Sequence, residues 1–245
     1  MKLVLNIWRQ ANATDRGRFV RYEVDDIAPS YSLLEVFDVL NARLLAGGQS
    51  PVAFESDCRE GICGACGVVV DGHAHGGRPL TTSCELRVSA FADGAELTIE
   101  PFRAKAFPVL RDLIVDRSAL DRVIAAGGYV SVRTGSAPEA NLTPIAKRAA
   151  DQALDAAACI GCGACVAACP NASAALFVGA KVTHLALLPQ GAPERKARAL
   201  ALVAAADREG FGACTSYGEC QAACPKGIEL GVITRLNREV LRDAS

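Results

Sequence analysis

Apolar and polar residues alternate in two stretches near the start of the chain, Met1–Gln10 and Phe19–Val24. This period of two is typical of a β-strand with one buried face. Short apolar runs near Gly, Asp or Ser predict further strands at Val68–Val70, Leu86–Val88 and Leu97–Ile99. The N-terminal part of the chain is therefore expected to be rich in strands.

One helix is well signalled among these strands. Ser32 and Glu35 have the spacing of a capping box, in which each side chain accepts from the backbone N–H of the other residue. Apolar residues then recur on one helical face over Leu33–Leu44, and Gly47 marks the end of the helix. Short strands with one crossing helix predict an α+β unit.

The apolar pattern takes on the period of a helix beyond Val109. Leu110, Leu113 and Ile114 would share one helical face. The segment Gly127–Pro144 is rich in Gly, Ser, Pro and Asn, which predicts a loop. The second half is thus expected to be mostly α. Further helices are predicted around Val123 and Ile124 and over Ile145–Ala158, Pro193–Asp207 and Ile228–Leu241.

Composition narrows the class of protein. Hydrophobic residues make up 51% and charged residues 22% of the 245 residues, which is enough to fill a core. The net charge of −1 and the 5% of aromatic residues supply neither a basic surface nor stacking platforms, so nucleic acid is not expected as a partner. The N-terminus lacks the basic start and apolar run of a signal peptide, and nothing marks the chain for export.

Cysteine is the most informative residue type in this sequence. There are eleven cysteines, an odd number that leaves one thiol over if all the others pair as disulfides. In a reducing cytoplasm, coordinated metal explains them better. They fall into three groups: Cys58, Cys63, Cys66 and Cys84; Cys159, Cys162, Cys165 and Cys169; and Cys214, Cys220 and Cys224.

The first group has the spacing C-x4-C-x2-C followed by a distant cysteine, which is that of plant-type 2Fe–2S ferredoxins. Gly61, Gly64 and Gly67 suit a tight loop whose backbone N–H groups approach cluster sulfurs. A zinc site or free thiols are the alternative, but zinc sites favour two C-x2–4-C hooks and only one arm here has that form. The predicted 2Fe–2S ligands are Cys58, Cys63, Cys66 and Cys84.

The second group is the C-x2-C-x2-C-x3-C-P run of two-cluster bacterial ferredoxins, in which three cysteines hold one cubane and the fourth holds the other. The third group is the same run with Tyr217 in place of its middle cysteine. One site is therefore a thiolate short, which favours a 3Fe–4S cluster over its rival, a 4Fe–4S cluster with water or another oxygen ligand. Crossing the runs predicts 4Fe–4S ligands Cys159, Cys162, Cys165 and Cys224, and 3Fe–4S ligands Cys169, Cys214 and Cys220.

The sequence shows no substrate chemistry of its own. It has no G-x-G-x-x-G after a strand and no P-loop. His73 and His75 are predicted to be solvated residues in the turn Asp71–Pro79, and His184 a packed core histidine. Three clusters without a substrate site predict a conduit that takes electrons from one partner and passes them to another.

Together these motifs resemble the iron–sulfur subunit of succinate dehydrogenase and of the related fumarate reductase. The resemblance covers nearly the whole chain, through the Cys58–Gly64 loop, the Pro108–Asp116 junction and the two runs that each end in Cys-Pro. It implies an α+β fold, with an N-terminal β-grasp 2Fe–2S ferredoxin-like domain over residues 1–103 and a C-terminal all-α ferredoxin-like domain carrying two clusters over residues 104–245.

The resemblance also implies partners. A separate flavoprotein subunit would oxidise succinate at FAD, and electrons would pass through the 2Fe–2S, 4Fe–4S and 3Fe–4S clusters to a quinone. A membrane-anchor cytochrome b subunit carrying haem b would hold the chain at the cytoplasmic face of the bacterial cell membrane. The physiological direction of electron transfer stays open, because succinate oxidation and fumarate reduction use the same electron-transfer path.

Two departures from the family pattern refine these expectations. The long spacer Gly67–Ser83 predicts an elaborated hairpin over Asp71–Pro79. The segment Pro170–Ala174 lacks the tryptophan that follows the first Cys-Pro in many ubiquinone-reducing relatives, which resembles the branch with a dihaem cytochrome b and menaquinone. Family likeness places Pro170, Thr215, Tyr217 and Arg238 near the quinone, with packing or surface roles as the alternative for each.

A different class of protein, a freestanding multi-cluster ferredoxin, is also compatible with the cysteine spacing. The mean hydropathy of +0.21 favours permanent burial against partners, because a soluble carrier would expose less apolar surface. A subunit of another flavin-linked reductase would use the same conduit.

Overall fold

The N-terminal half forms a mixed five-stranded sheet with one helix. The computed structural model describes residues 1–132 and 145–242. The strand order is β2-β1-β5-β3-β4, in which β1 is parallel to β5 and the other pairs are antiparallel. The elements are β1 (Leu3–Arg9), β2 (Arg18–Val24), α1 (Leu33–Ala46), β3 (Val68–Val70), β4 (His73–Ala74) and β5 (Glu96–Pro101).

Helix α1 forms as the sequence predicts and covers one face of this sheet. The amide of Glu35 donates to Ser32 Oγ at 3.3 Å, and the amide of Ser32 donates to Glu35 Oε2 at 2.6 Å, which completes the capping box. Phe37 and other apolar residues of α1 share a core with the inward side chains of β1 and β5, including Leu5 and Ile99, all fully buried. The predicted strands at Met1–Gln10, Phe19–Val24, Val68–Val70 and Leu97–Ile99 are confirmed by β1, β2, β3 and β5.

The strand predicted over Leu86–Val88 is wrong. Val88–Ala90 is a turn of 3-10 helix, and Arg87 forms only an isolated bridge with Ser32. The backbone here bonds to the start of α1 instead of to a strand, because the Leu33 amide donates to Leu86 O at 2.8 Å. Leu86 and Val88 are both buried in the core, so both positions are apolar. These apolar residues gave the sequence its strand-like pattern.

The helix predicted from Leu110, Leu113 and Ile114 is also wrong. These residues lie in a short hairpin of β6 (Val109–Arg111) and β7 (Ile114–Val115). Asp112, at the turn with φ of 45°, has a buried carboxylate that accepts from the amides of Gln10 at 2.9 Å and Ala53 at 2.8 Å. These long-range bonds outweigh a weak local helical period.

The second half consists of helices around α5, as expected for a mostly α region. Helix α5 is apolar on nearly all sides and packs against α3, α6 and α8, so it is the centre of this half. Residues 133–144 of the predicted loop Gly127–Pro144 lie outside the described residues. The helices are α2 (Ser118–Ala125), α3 (Lys147–Ala157), α4 (Ala164–Ala168), α5 (Ala175–Leu187), α6 (Arg195–Arg208), α7 (Glu219–Ala222) and α8 (Gly231–Val240).

The two halves have separate cores that meet at one seam. The second core includes Ala74 and Phe102 from the N-terminal half together with Phe107, Cys162 and Phe177. The domain boundary between residues 103 and 104 stays a prediction. Phe102, on the N-terminal side of this boundary, is buried in the core of the helical half. Within residues 1–132 and 145–242, no helix has the length and apolar character needed to cross a membrane.

Candidate cluster sites

The first cysteine loop, residues 58–66, follows α1 and leads into β3. Arg59, at φ of 56°, fixes its start by a two-pronged ion pair with Asp38 of α1, at 2.5 and 3.1 Å. Gly61 and Gly64 have φ of 68° and 74°, a backbone region that favours glycine. The loop is thereby folded back so that its amides face its own sulfurs.

The sulfurs of this loop accept backbone hydrogen bonds. The amides of Glu60 and Cys63 donate to Cys58 Sγ at 3.4 and 3.3 Å, and the Ala65 amide donates to Cys63 Sγ at 3.4 Å. The Glu60 amide is the largest cause that lowers the pKa of Cys58 to about 7. Such donors stabilise negative sulfur, which is the state a cluster ligand requires.

The other two cysteines of the first site lie inside the ferredoxin half. Cys66 and Cys84 are each 4% exposed, and Thr82 Oγ1 lies 3.1 Å from Cys84 Sγ. Burial is the largest cause that raises the pKa of Cys66 to about 12, and the nearby Cys84 and Cys63 contribute to the rise. Cys66 thus lies near Cys84 and Cys63, and the Cys63 amide bonds to Cys58 Sγ. A donor set of four thiols around this loop fits a thiolate-held cluster.

The second site joins sulfurs that are distant in sequence. Cys159, Cys162, Cys165 and Cys224 line one cavity, together with apolar residues that include Phe177. Burial is the largest cause that raises the pKa of the Cys162 thiol to about 12 and that of Cys165 well above its usual value, and the neighbouring cysteines contribute to both rises. An apolar cavity lined by four cysteines fits a cubane cluster held by thiolates.

The third site has three cysteines. Cys169, Cys214 and Cys220 line a cavity of about 270 Å³, and Tyr217 and Thr215 line it as well. Burial raises the pKa of Cys220, to which Cys169 and Cys214 add as near neighbours. Among the described residues no fourth cysteine lines this cavity, so the donor set fits a cluster with three thiolates.

Asn171 fixes the backbone around Cys214 in the third site, and no sequence motif predicts this role. Its Nδ2 donates to Ala213 O at 3.0 Å and to Thr215 Oγ1 at 2.7 Å, one on each side of Cys214. Asn171 follows Cys169 and Pro170, so its amide ties the two runs together. An Asn directly after a Cys-Pro was the only available signal, and it says nothing about a distant partner.

The four residues assigned to the quinone region are all exposed, and two of them line the cavity of the third site. Thr215 and Tyr217 line the cavity of the third site, and Tyr217 is 62% exposed. Pro170 and Arg238 are not among the described residues that line it. Asn237, the neighbour of Arg238 on α8, does line it.

The histidines match expectation at His73 and differ from it at His75 and at His184, which was predicted to lie packed in the core. His73 is exposed on β4, but the prediction that His75 is solvated is wrong, because it is 1% exposed. The hairpin of β3 and β4 turns at Asp71 and Gly72, so it covers only the first part of the hairpin predicted over Asp71–Pro79. It folds His75 against Phe102 with ring centroids 5.2 Å apart. Burial lowers the pKa of His75 to about 4. His184 is half-buried near the end of α5.

His75 has one satisfied ring nitrogen and one unsatisfied one. Its Nδ1 accepts from the amide of Ser83 at 3.1 Å, so the neutral ring carries its proton on Nε2. Nε2 is buried and has no hydrogen-bond partner within the described part of the chain. Ser83 is the neighbour of Cys84, so this histidine supports the segment that carries the last cysteine of the first site.

Two domain families match the two halves of the chain. Residues 4–122 match the 2Fe-2S iron-sulfur cluster binding domain, and residues 152–225 match the 4Fe-4S dicluster domain. The succinate dehydrogenase iron-sulfur subunit of Bacillus subtilis is 32% identical over 78% of this chain and 72% of its own length. The chain belongs to the succinate dehydrogenase and fumarate reductase iron–sulfur subunit family.

Other members of this family agree with the assignment. The fumarate reductase iron-sulfur subunit of Mycobacterium tuberculosis is 33% identical over 75% of this chain and 72% of its own length. A chain in the structure titled Mycobacterium smegmatis Sdh1 complex in the apo form has the same fold, with a TM-score of 0.66 and 20% identity. That match covers 100% of this chain and 99% of the other. The predicted α+β fold and the electron-transfer role within an oxidoreductase complex are thereby confirmed.

Proposed function

We propose that this subunit holds three clusters and relays single electrons between them. The arrangement of the two Cys-Pro runs carries the proposal, because Cys224 shares a cavity with Cys159, Cys162 and Cys165, and Cys169 shares one with Cys214 and Cys220. The ligands of the 2Fe–2S cluster are Cys58, Cys63, Cys66 and Cys84, and those of the 4Fe–4S cluster are Cys159, Cys162, Cys165 and Cys224. The third site, with Cys169, Cys214 and Cys220, takes a 3Fe–4S cluster.

When bound, the clusters supply one-electron redox chemistry. The chain's own residues hold and insulate them. Amides of the first loop donate to its sulfurs, and apolar residues such as Phe177 keep water from the second site. Asn171 fixes the two backbone segments of the third site. Hydrogen bonds to sulfur and the degree of burial set the redox potential of such sites.

The partners follow from the family and from where the chain is exposed. A flavoprotein subunit with FAD delivers electrons to the first loop, where Ile62 is 60% exposed next to Cys63. A membrane-anchor cytochrome b subunit with haem b and a quinone, menaquinone in this proposal, lie at the third site, where Thr215 and Tyr217 are exposed. This arrangement puts the subunit at the cytoplasmic face of the cell membrane.

The physiological reaction proposed is succinate oxidation, after the Bacillus subtilis relative. Fumarate reduction through the same relay is the second candidate, which the Mycobacterium tuberculosis relative favours at a similar identity. The two are distinguished by the ratio of succinate oxidation to fumarate reduction in the complex purified from membranes. A complex that reduces fumarate faster than it oxidises succinate at neutral pH contradicts the first candidate.

The relay itself is tested by exchanging one cysteine at a time. In the complex purified anaerobically, Cys224→Ser removes the 4Fe–4S signal, and Cys220→Ser removes the signal of the third site. The 2Fe–2S signal stays in both variants, so each variant is the control for the other. Low-temperature electron paramagnetic resonance measures all three signals. A Cys224→Ser complex that keeps the 4Fe–4S signal and loses the signal of the third site contradicts the crossed assignment.

A further inference from the structure

The first cysteine loop and the first Cys-Pro run, which begins at Cys159, touch through their backbones. A Cβ atom on Gly64 would lie 2.7 Å from Ile160 O and 3.1 Å from Cys162 Cα, closer than side-chain carbons approach such atoms. Cys63 and Cys159, one cysteine from each site, also line a common cavity of about 280 Å³. The two sites therefore meet at this seam.

Arg117 lies at the same seam and bonds to both segments. It precedes α2, and its Nη1 donates to Gly64 O at 2.6 Å and to Cys162 O at 3.2 Å. Its Nη2 pairs at 3.3 Å with Glu55, which precedes the first loop. One guanidinium thus joins the loop of one cluster site to the run of the next, and its side chain is only 21% exposed.

The chemistry of the guanidinium suits this position. Its donors have a fixed planar arrangement, so one side chain holds two carbonyls and a carboxylate in a set geometry, whereas the donors of a lysine rotate on a flexible stem. Its positive charge also lies beside the second site, because its Nη1 bonds to the carbonyl of Cys162, one of the proposed ligands there. Hydrogen bonds and charges beside a cluster's ligands tune the cluster that they hold.

We propose that Arg117 is a positioning residue for electron transfer between the 2Fe–2S and 4Fe–4S sites. It fixes the distance between the two ligand segments, and it places one positive charge beside both. This inference rests on the proposed cluster assignment. None of the cluster motifs contains Arg117, so the cysteine spacing does not reveal this role.

The test compares three variants in the anaerobically purified complex. Arg117→Gln removes the charge and shortens the reach, and Arg117→Lys keeps the charge without the planar fork. Arg122→Gln is the matched control, since Arg122 lies on α2, five residues after Arg117, and pairs with Glu209 at 2.7 Å instead of with a cysteine segment. The readouts are iron and sulfide content, the redox potentials of both clusters, the enhancement of 2Fe–2S spin relaxation by the reduced 4Fe–4S cluster, and the rate of single-turnover electron transfer.

Arg117→Gln is expected to keep its iron and to lower the potentials of both clusters, because a nearby positive charge favours the reduced state. It is also expected to lose relaxation enhancement and to slow single-turnover transfer by about tenfold, the effect typical of removing a group that orients metal ligands. Arg117→Lys keeps the potentials closer to those of the unchanged protein but still weakens the relaxation enhancement. Arg122→Gln leaves every readout unchanged.

Two failures are distinguishable. If the unchanged complex lacks either cluster signal, the proposed function falls and this inference falls with it. If both signals are present and Arg117→Gln matches the unchanged complex in potentials, relaxation and rate, only the role of Arg117 is overturned. Should Arg117→Gln fail to assemble, Arg117→Lys decides, because relaxation equal to that of the unchanged complex overturns the proposal and weaker relaxation supports it.

Discussion

At the scale of single residues, Gly64 combines a backbone requirement with a packing requirement. Its φ is 74°, and a Cβ atom there would collide with the backbone of Ile160. Gly48 has a similar φ of 70°, yet a Cβ atom there would meet nothing within 4 Å in the described part of the chain. Substituting each glycine therefore distinguishes the cost of backbone strain, which both positions share, from the cost of disturbing the contact between the two cluster segments, which only Gly64 makes.

Gly64→Ala is expected to destabilise the protein by more than Gly48→Ala. An alanine at positive φ costs about 1–2 kcal/mol at either position, but only Gly64→Ala also pushes the two segments apart. Denaturant unfolding of the anaerobic protein measures the difference, and the content of the first two clusters accompanies it. Equal destabilisation by the two variants would contradict the close packing at Gly64.

Asn171 makes a second prediction at this scale. Asn171→Ala removes the bonds to Ala213 O and Thr215 Oγ1 that hold both sides of Cys214. We expect the third site to lose its cluster about tenfold more readily on exposure to a chelator, while the other two clusters stay. Asn237→Ala, in the same cavity on α8, is the control. The expectation fails if the third signal decays at the same rate in both variants.

At the scale of elements, a buried carboxylate joins α6 to α8. Glu239 is fully buried, and Arg195 bonds to both of its oxygens at 2.8 and 2.9 Å. Arg242 and Arg235 lie at 3.4 and 3.8 Å from it. The hydrogen bond from Arg195 is the largest cause that holds the pKa of Glu239 below its usual value.

Glu239→Gln is expected to destabilise the protein by about 3 kcal/mol at neutral pH, because it leaves Arg195 without its buried partner. The pKa of the folded carboxyl is lowered, so its contribution is present above the unfolded value near 4.3 and is lost as the pH falls through the lower folded value. The difference in unfolding free energy between the variant and the unchanged protein should therefore shrink in acid. Glu229→Gln, at an exposed position before α8, is the control. A difference that stays constant down to acid pH contradicts the ion pair.

Local pattern was sufficient for some elements and misleading for others. The capping residues and apolar stripe of α1 are local, and the structure confirms them. The segment at Val109–Val115 became a hairpin because Asp112 bonds to Gln10 and Ala53, which are far away in the sequence. Helix α5 was missed because its apolar residues surround it, so that no amphipathic period marks it.

At the scale of the whole molecule, the spacing of the cysteines was enough to predict most of the function. The pairing of Cys224 with Cys159 and of Cys169 with Cys214 was predicted from the two runs, and the structure brings each pair to a common cavity. The seam between the halves could not be predicted in this way. Arg117 belongs to no cysteine motif, and His75 is buried only because the hairpin folds against Phe102.

Three clusters of different kinds on one chain should give three distinct magnetic signals. Low-temperature electron paramagnetic resonance measures them together in the anaerobically purified complex, first oxidised and then titrated stepwise with a reductant. We expect a paramagnetic three-iron signal in the oxidised state, followed on reduction by separate 2Fe–2S and 4Fe–4S signals that interact. An oxidised protein without that first signal, or one that contains zinc in place of iron, would contradict the three-cluster arrangement.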